Sequence, residues 1–455
     1  MTQQVSNPPK QVSQPLPRQQ RHLSRVGIAS LLVLVGLLLL LFTGFLLWNL
    51  SQSVTHKQGT HQHVKQTANH ENNASPLLIP GNGTPTKLVI PAGRYAIYEQ
   101  EKGIYSVSTT DNKTASISTP GYIYNRAVPP LLTPSGQLLY SGDGLWLTNI
   151  FNGTPKQIAT LPADQVITSM VLSSDGTSVA WSTEPIDGKG NNALYAGPLE
   201  NSVQVYQHDA TDCPCYRVFS FLHGAGNTTL LLTDDRGDHH EVQYGLWSLN
   251  IASGPAGTPQ LVLDGDDQQG PLALTPSGNT LLYSTYQGVV PAPNDSSVPL
   301  DIAALNYANS LSIASLNGGS SNAPTVNGSH TVLSEQHDLS NSAAYHWVIT
   351  PLFSTDGHTL VYVVFSSDAQ APFDRHSAVY SVNVTGSGSH LSVSKPQLLA
   401  TSNALFVELG AWLNDRILTF YADGTLYALD TRDGAVTSIM QTKSYARVVA
   451  IVGSV

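Results

Sequence analysis

The feature that most constrains this chain is a turn that keeps coming back. An apolar strand runs into Ser or Thr, then Ser or Asp two residues later, then Gly, then a strand rich in Leu, Val and Tyr. The clearest copies are LLTPSGQLLYS from Leu131, VLSSDGTSVAWS from Val171, LALTPSGNTLLYS from Leu272 and LFSTDGHTLVYVV from Leu352. Gly at the turn and apolar residues on both sides predict a β-hairpin in each. The turn glycines lie 40 residues apart from Gly136 to Gly176, 102 from Gly176 to Gly278 and 79 from Gly278 to Gly357. A degenerate copy, FLHGAGNTTLLLT, places Gly226 50 and 52 residues from its neighbours and divides the long gap. Two end copies, beginning at Leu88 and Ala411, line up once the following strands are included. Each unit then reads strand, turn, strand, short turn, strand, turn, strand.

A four-stranded unit recurring every 40 to 50 residues is the pattern of propeller blades, because a lone twisted sheet must bury both faces against neighbouring sheets. The expected fold class is all-β: a β-propeller of seven four-stranded blades over residues 86–455, preceded by one N-terminal transmembrane helix. A set of two-sheet sandwiches explains the strands but not the recurring turn. The terminal YARVVAIVGSV, from Tyr445, holds one apolar strand beyond the last complete unit, which can pair with the first blade and fasten the ring. Six or eight blades are the alternatives if an end copy is miscounted. Composition agrees with β-structure: 37 Gly, 28 Pro and 11% charged residues suit turns better than helices.

These copies resemble the TolB-type β-propeller repeat, also found in propeller domains of dipeptidyl-peptidase-like proteins, where the first hairpin carries Ser-Pro-Asp-Gly. This chain has Thr133-Pro134-Ser135-Gly136, Thr275-Pro276-Ser277-Gly278, Ser173-Ser174-Asp175-Gly176 and Ser354-Thr355-Asp356-Gly357, never the complete form. The resemblance implies a propeller over roughly residues 86–455, and one lacking the hydrolase domain that follows the propeller in dipeptidyl-peptidase relatives. The turn residues themselves read as structural, Gly for positive φ and Ser or Asp for bonding the turn backbone.

No formally charged residue occurs from Val26 to His56, and Gly27 to Trp48 includes LLVLVGLLLLLFTGFLL. Those 22 residues reach about 33 Å as a helix, enough for the ~30 Å hydrocarbon core. The run is longer than a cleaved signal's apolar region and ends in Trp48-Asn49-Leu50 rather than small residues. Arg18, Arg21 and Arg25 precede it, so the expectation is a retained anchor with its N-terminus in the cytoplasm and the propeller outside. The division is then 1–26 cytoplasmic basic tail, 27–49 transmembrane helix, 50–85 flexible stalk and 86–455 propeller. Residues 1–26 hold four of the 21 basic residues and no acid, leaving 17 against 31, or −14, for the remainder. That balance excludes a nucleic-acid-binding ectodomain.

Linear signatures of chemistry are missing. There is no Gly-x-Ser-x-Gly, His-Glu-x-x-His, phosphate-loop or dinucleotide-loop pattern, and no cofactor is expected. Cys213 and Cys215 are the only cysteines; a local disulfide or a bond to another chain is favoured over a metal site with His208, His223, His239 or His240. His56, His61, His63 and His70 read as polar stalk residues, Arg236-Gly237-Asp238 as a solvated turn, and Asp264, Asp266 and Asp267 as a polar blade connection.

The one positional asymmetry is in the loops between second and third strands. They are short in blades one, two and seven, but blades three to six carry EPIDGKGNN from Glu184, DDRGDHHEVQYG from Asp234, a long insertion from Tyr286 and SSDAQAPFDRHSA from Ser366. Such loops leave one face of the ring as a raised arc. The candidate binding residues there are Asp187, Lys189, Asp235, Arg236, His239, His240, Tyr307, Phe373, Asp374, Arg375 and His376. Charge mixed with aromatic anchors suits a protein or glycan partner at the cell envelope. The expected function is therefore a cell-surface binding or scaffolding module. The alternatives are a hydrolase or lyase with a site at the channel mouth, and a structural envelope protein.

Overall fold

The structure is a computed structural model. It describes residues 78–81, 88, 90, 92–151, 153–211, 214–222, 228–234, 244–252, 257–264, 269–289, 307–318, 323–333, 344–368, 371–404 and 407–453. Among them no helix is long and apolar enough to cross a membrane, and the run 27–49 lies outside the described residues.

Seven antiparallel sheets form seven blades. Blade 2 is Leu131–Leu132, Gln137–Ser141, Gly144–Asn149 and Lys156–Thr160. Blade 3 is Gln165–Leu172, Ser178–Pro185, Asn191–Pro198 and Val203–Asp209, and blade 4 is Tyr216–Phe221, Thr229–Asp234, Tyr244–Asn250 and Gln260–Leu263. Blade 5 is Gln269–Leu274, Thr280–Val289, Leu311–Asn317 and Thr325–Leu333. Blade 6 is Ala344–Phe353, Thr359–Asp368, Ala371–Thr385 and Gln397–Ser402; blade 7 is Val407–Trp412, Ile417–Ala422, Thr425–Asp430 and Val436–Gln441.

Blade 1 is assembled from both ends of the ring. Its second to fourth strands, Arg94–Gln100, Gly103–Ser108 and Thr114–Ser116, follow one another, but its first strand is the C-terminal Arg447–Gly453, paired from Arg94↔Gly453 to Glu99↔Arg447. The strand Arg447–Gly453 therefore closes the ring. The end copy beginning at Leu88 differs from the expected pattern, since Leu88 and Ile90 are not in a strand and the place they were expected to fill is taken by the closing strand.

Seven apolar clusters accompany the seven blades, one at each junction between neighbours. Blade 4 shows how one strand serves two junctions. Successive side chains of a strand point to opposite faces, so Leu230 and Leu232 pack toward blade 3 while Leu231 packs toward blade 5. The last junction joins Leu426 and Ala428 of blade 7 to Ala96, Tyr98 and Val107 of blade 1. Burial on both faces explains why the central strands read as apolar runs rather than a clean alternation.

The repeated turns connect first and second strands. Their first hydroxyl accepts the amide at the start of the next strand: Ser178 N–H to Ser173 Oγ at 2.9 Å, Thr280 N–H to Thr275 Oγ1 at 3.1 Å and Thr359 N–H to Ser354 Oγ at 2.9 Å. Their glycines have positive φ, 80° at Gly136 and 69° at Gly176. Gly176 has a second reason to be Gly, because a Cβ there would lie 2.4 Å from Pro134 Cδ of the preceding blade. The turn motif thus also locks neighbouring blades together.

Leu78–Pro80, within the stretch read as stalk, forms the outermost strand of blade 6, paired with Ala400–Ser402. The described parts of two of the long insertions extend strands. In blade 5 Tyr307–Asn309 pairs back onto the second strand, Val289↔Tyr307, and in blade 6 the hairpin continues to Asp368↔Ala371.

Candidate functional site

Because blade strands alternate in direction, the inter-blade links and the second-to-third-strand loops share one face, called here the link face. The repeated turns lie on the other, the turn face. Two constructions on the link face were not legible as motifs.

The first is a buried charge cluster where the last blade meets the first. Glu99 is the penultimate residue of the second strand of blade 1, Arg447 begins the closing strand, Glu408 is the second residue of blade 7, and Arg126 lies in the link from blade 1 to blade 2. The Glu99 carboxylate is 0% exposed; it accepts Arg447 Nε–H at 2.6 Å through Oε1 and Tyr122 O–H at 2.9 Å through Oε2. Arg447 also donates to the Arg126 carbonyl at 2.8 Å and comes within 3.9 Å of Glu408 Oε1. Glu408 Oε2 accepts Tyr445 O–H at 2.7 Å and Arg126 Nη2–H at 3.2 Å. The Arg126 guanidinium lies 5.3 Å from the centroid of the Tyr445 ring.

Two carboxylates and two guanidiniums balance in charge, and each carboxylate is bonded on the way round. Burial pushes the Glu99 carboxyl above its ordinary range, against the pull of Arg447 and the Tyr122 hydroxyl. Burial, with the nearby carboxylates, raises the Tyr122 and Tyr445 phenols as well. The cluster can therefore hold the seam of the ring, and its two carboxylates lie beside the starts of first strands that surround the channel.

The second construction is a groove of about 310 Å³ between blades 2 and 3. Blade 2 turns from its second to its third strand through Gly142 and Asp143 alone. That shortness lets the link 119–126 cross it, with Ile123 N–H donating to Ser141 O at 3.3 Å. A Cβ on Gly142 would lie 2.0 Å from Gly121 O, so the crossing requires Gly. Ile123 forms one wall, Leu161 to Val166 another, and Ile186 of the longer blade 3 loop the third. Ile123, Val166 and Ile186 are 58%, 40% and 65% exposed. The blade 3 loop is ordered by its own bonds, Ile186 N–H to Asp164 O at 2.8 Å and Lys189 N–H to Asp187 Oδ1 at 3.0 Å.

The sequence-derived candidates distribute as follows. Asp187 and Lys189 are exposed and belong to the loop that supplies Ile186. Tyr307, Phe373, Asp374, Arg375 and His376 lie in the extended strands of blades 5 and 6, and His376 pairs with Ser366. Asp235, Arg236, His239 and His240 lie outside the described residues. Cys215 is disulfide-bonded, with its N–H donating to Asp234 Oδ1 at 2.7 Å, and Cys213 is outside the described residues. Farther round the same face, Arg217 of blade 4 pairs with Glu184 of blade 3 at 3.6 Å.

Sequence reasoning missed the residues of the charge cluster. Glu99, Arg126, Glu408 and Arg447 are up to 348 residues apart, and no linear spacing joins them. One signal was available: Arg447 is a charge at the head of an otherwise apolar closing strand.

The turn face is different in kind. A cavity of about 940 Å³ opens among the first strands of blades 1, 2, 3, 4 and 7, with Phe151, Phe219 and Trp412 in its wall and no ionisable side chain among its lining residues.

No family model matches the sequence, and no curated protein is similar to it. Solved structures of other β-propellers do align with it. A candidate 6-phosphogluconolactonase of Bacteroides uniformis aligns at 11% identity over 79% of this chain and 99% of its own, with a TM-score of 0.47. An oligogalacturonate lyase of Vibrio parahaemolyticus aligns at 12% identity over 78% and 88%, TM-score 0.45. A TolB candidate of Agrobacterium tumefaciens aligns at 13% identity over 79% and 99%, TM-score 0.35.

Proposed function

We propose that this chain is a membrane-tethered, extracytoplasmic β-propeller that binds a protein partner on its link face. The observation that carries the reading is the groove between blades 2 and 3, where three aliphatic side chains are held exposed around a polar-edged depression on a rigid ring. Apolar side chains clustered in a concavity with a polar rim mark interaction sites. Asp187 and Lys189 adjoin it, and the extended hairpins of blades 5 and 6 rise from the same face. Tethering is read from the uncharged run after Arg25.

Two experiments test this on cells making the full chain. Protease added outside should remove a propeller epitope; full protection would reverse the orientation. Cross-linking capture should recover a protein whose yield falls when Ile123 and Ile186 become Ser, or when Arg236, Phe373 and Arg375 become Ala, at unchanged thermal stability. Capture indifferent to both sets would end the link-face reading, and a glycan in place of a protein would change the partner class.

A second reading, a hydrolase or lyase at the channel mouth, is favoured by the paired carboxylates Glu99 and Glu408. If they are catalytic, Glu408→Gln abolishes turnover of a substrate found by screening while the ring stays folded. If they hold the seam, the same change lowers stability.

A further inference from the structure

We infer that the groove between blades 2 and 3 docks a branched aliphatic side chain of a peptide segment flanked by Lys or Arg. The inference rests on the link-face reading above and specifies its partner. The apolar part follows from the walls: Ile123, Val166 and Ile186 offer methyl groups and no aromatic face, and about 310 Å³ suits side chains rather than a whole element. Burying those groups against an aliphatic side chain is favourable in proportion to the area removed from water.

The charge of the flanks follows from the surroundings. Asp143 lines the groove, Asp164 holds the blade 3 loop through its carbonyl, and Asp187 is the next residue after Ile186; all three carboxylates are on exposed residues. Lys189 is the cation of the blade 3 loop, while Arg126 of the 119–126 link is paired with Glu408 and Glu184 with Arg217. The loops around the groove thus carry three exposed aspartates and one lysine, within a chain carrying −14 beyond residue 26 (17 basic against 31 acidic). Acidic flanks on a partner would be repelled there, and basic flanks would be drawn in.

The groove is also prepared in advance. Gly142 lets the 119–126 link sit directly on blade 2, Trp146 Nε1–H donates to Asp143 Oδ1 at 2.8 Å, and Asp187 accepts Lys189 N–H within its own loop. Little ordering is left for binding to supply.

The test is a random peptide library selected against the full chain in detergent. Enrichment of a branched aliphatic residue flanked by Lys or Arg is the expected result. Affinity of a synthetic peptide bearing that consensus should drop at least tenfold in Ile186→Ser. It should also weaken from about 0.1 M to about 1 M salt, where the Debye length shrinks from ~10 to ~3 Å. The triple change Asp143→Asn, Asp164→Asn and Asp187→Asn keeps the acceptor oxygens and removes the charges. It should lower affinity severalfold and flatten the salt dependence. An enriched consensus with acidic or aromatic character, binding unmoved by Ile186→Ser, or no enrichment would each overturn this inference. The link-face reading would then still be judged separately by the cross-linking capture.

Discussion

The two faces of this ring are built by opposite strategies. On the turn face one motif is repeated, and its copies touch: Gly176 packs on Pro134, Gly357 approaches Thr275 and Pro276, and Thr355 bonds Asp415 of blade 7. On the link face no such motif repeats among the described residues. Blade 1 ends its second strand in Glu99-Gln100, blade 2 in Ser141, blade 3 in Pro185 and blade 4 in Asp234, and the links between them differ in length and content. The repeating face makes the ring; the non-repeating face holds both the seam cluster and the groove. A shared scaffold needs uniform contacts, whereas recognition needs one blade to differ from the next.

The largest effect should come from the seam. Arg447→Met leaves Glu99 buried without its guanidinium, a loss of about 3–5 kcal/mol for breaking one side of a buried pair. Equilibrium unfolding would measure it. Glu99→Gln added to Arg447→Met should recover part of the loss; no recovery would show that Arg447 acts through packing alone.

The turn face should respond more moderately, and differently at two chemically identical positions. Gly136→Ala meets nothing within 4 Å of the new Cβ, so only the positive-φ strain of about 1 kcal/mol applies. Gly176→Ala adds the clash with Pro134, and about 1–3 kcal/mol more is expected for overpacking. Equal losses would contradict the interlocking of adjacent turns.

The smallest effects are in pH dependence, and they should have opposite signs on the two faces. Glu99 titrates above its ordinary range. Its contribution is present below the unfolded value and is lost as pH rises through the folded one, so Glu99→Gln should remove a decline on that limb. On the turn face Asp430 is raised by burial but lowered further by its bonds to Arg416, so its net shift is downward. Its contribution is present above the ordinary aspartate value and is lost as pH falls through the folded one. Asp430→Asn should therefore flatten the acid limb. The same sign in both variants would contradict the assignments.

What could be read in advance follows the same division. The Ser/Thr and Gly of the repeated turns are local requirements of a hairpin, so blades 2, 3, 5 and 6 could be found from eleven to thirteen residues each. Blade 7 was legible from its strands, but blade 1 was misread at Leu88 because its first strand comes from residue 447 onward. Glu99 and Arg447 meet only through ring closure, and Ile123 becomes a groove wall only because Gly142 lets a link cross blade 2. The arc was found through loop length, yet its residues in blades 5 and 6 continue strands rather than leave them.

The most direct test of the division between faces is amide hydrogen exchange on the full chain, with and without the partner recovered by capture. Protection confined to 121–125, 142–143, 161–167 and 185–190, with the turns at 133–136, 173–176, 275–278 and 354–357 unchanged, is the result expected if recognition lies on the non-repeating face. Protection of those turns, with the groove exchanging as in the free protein, would contradict it.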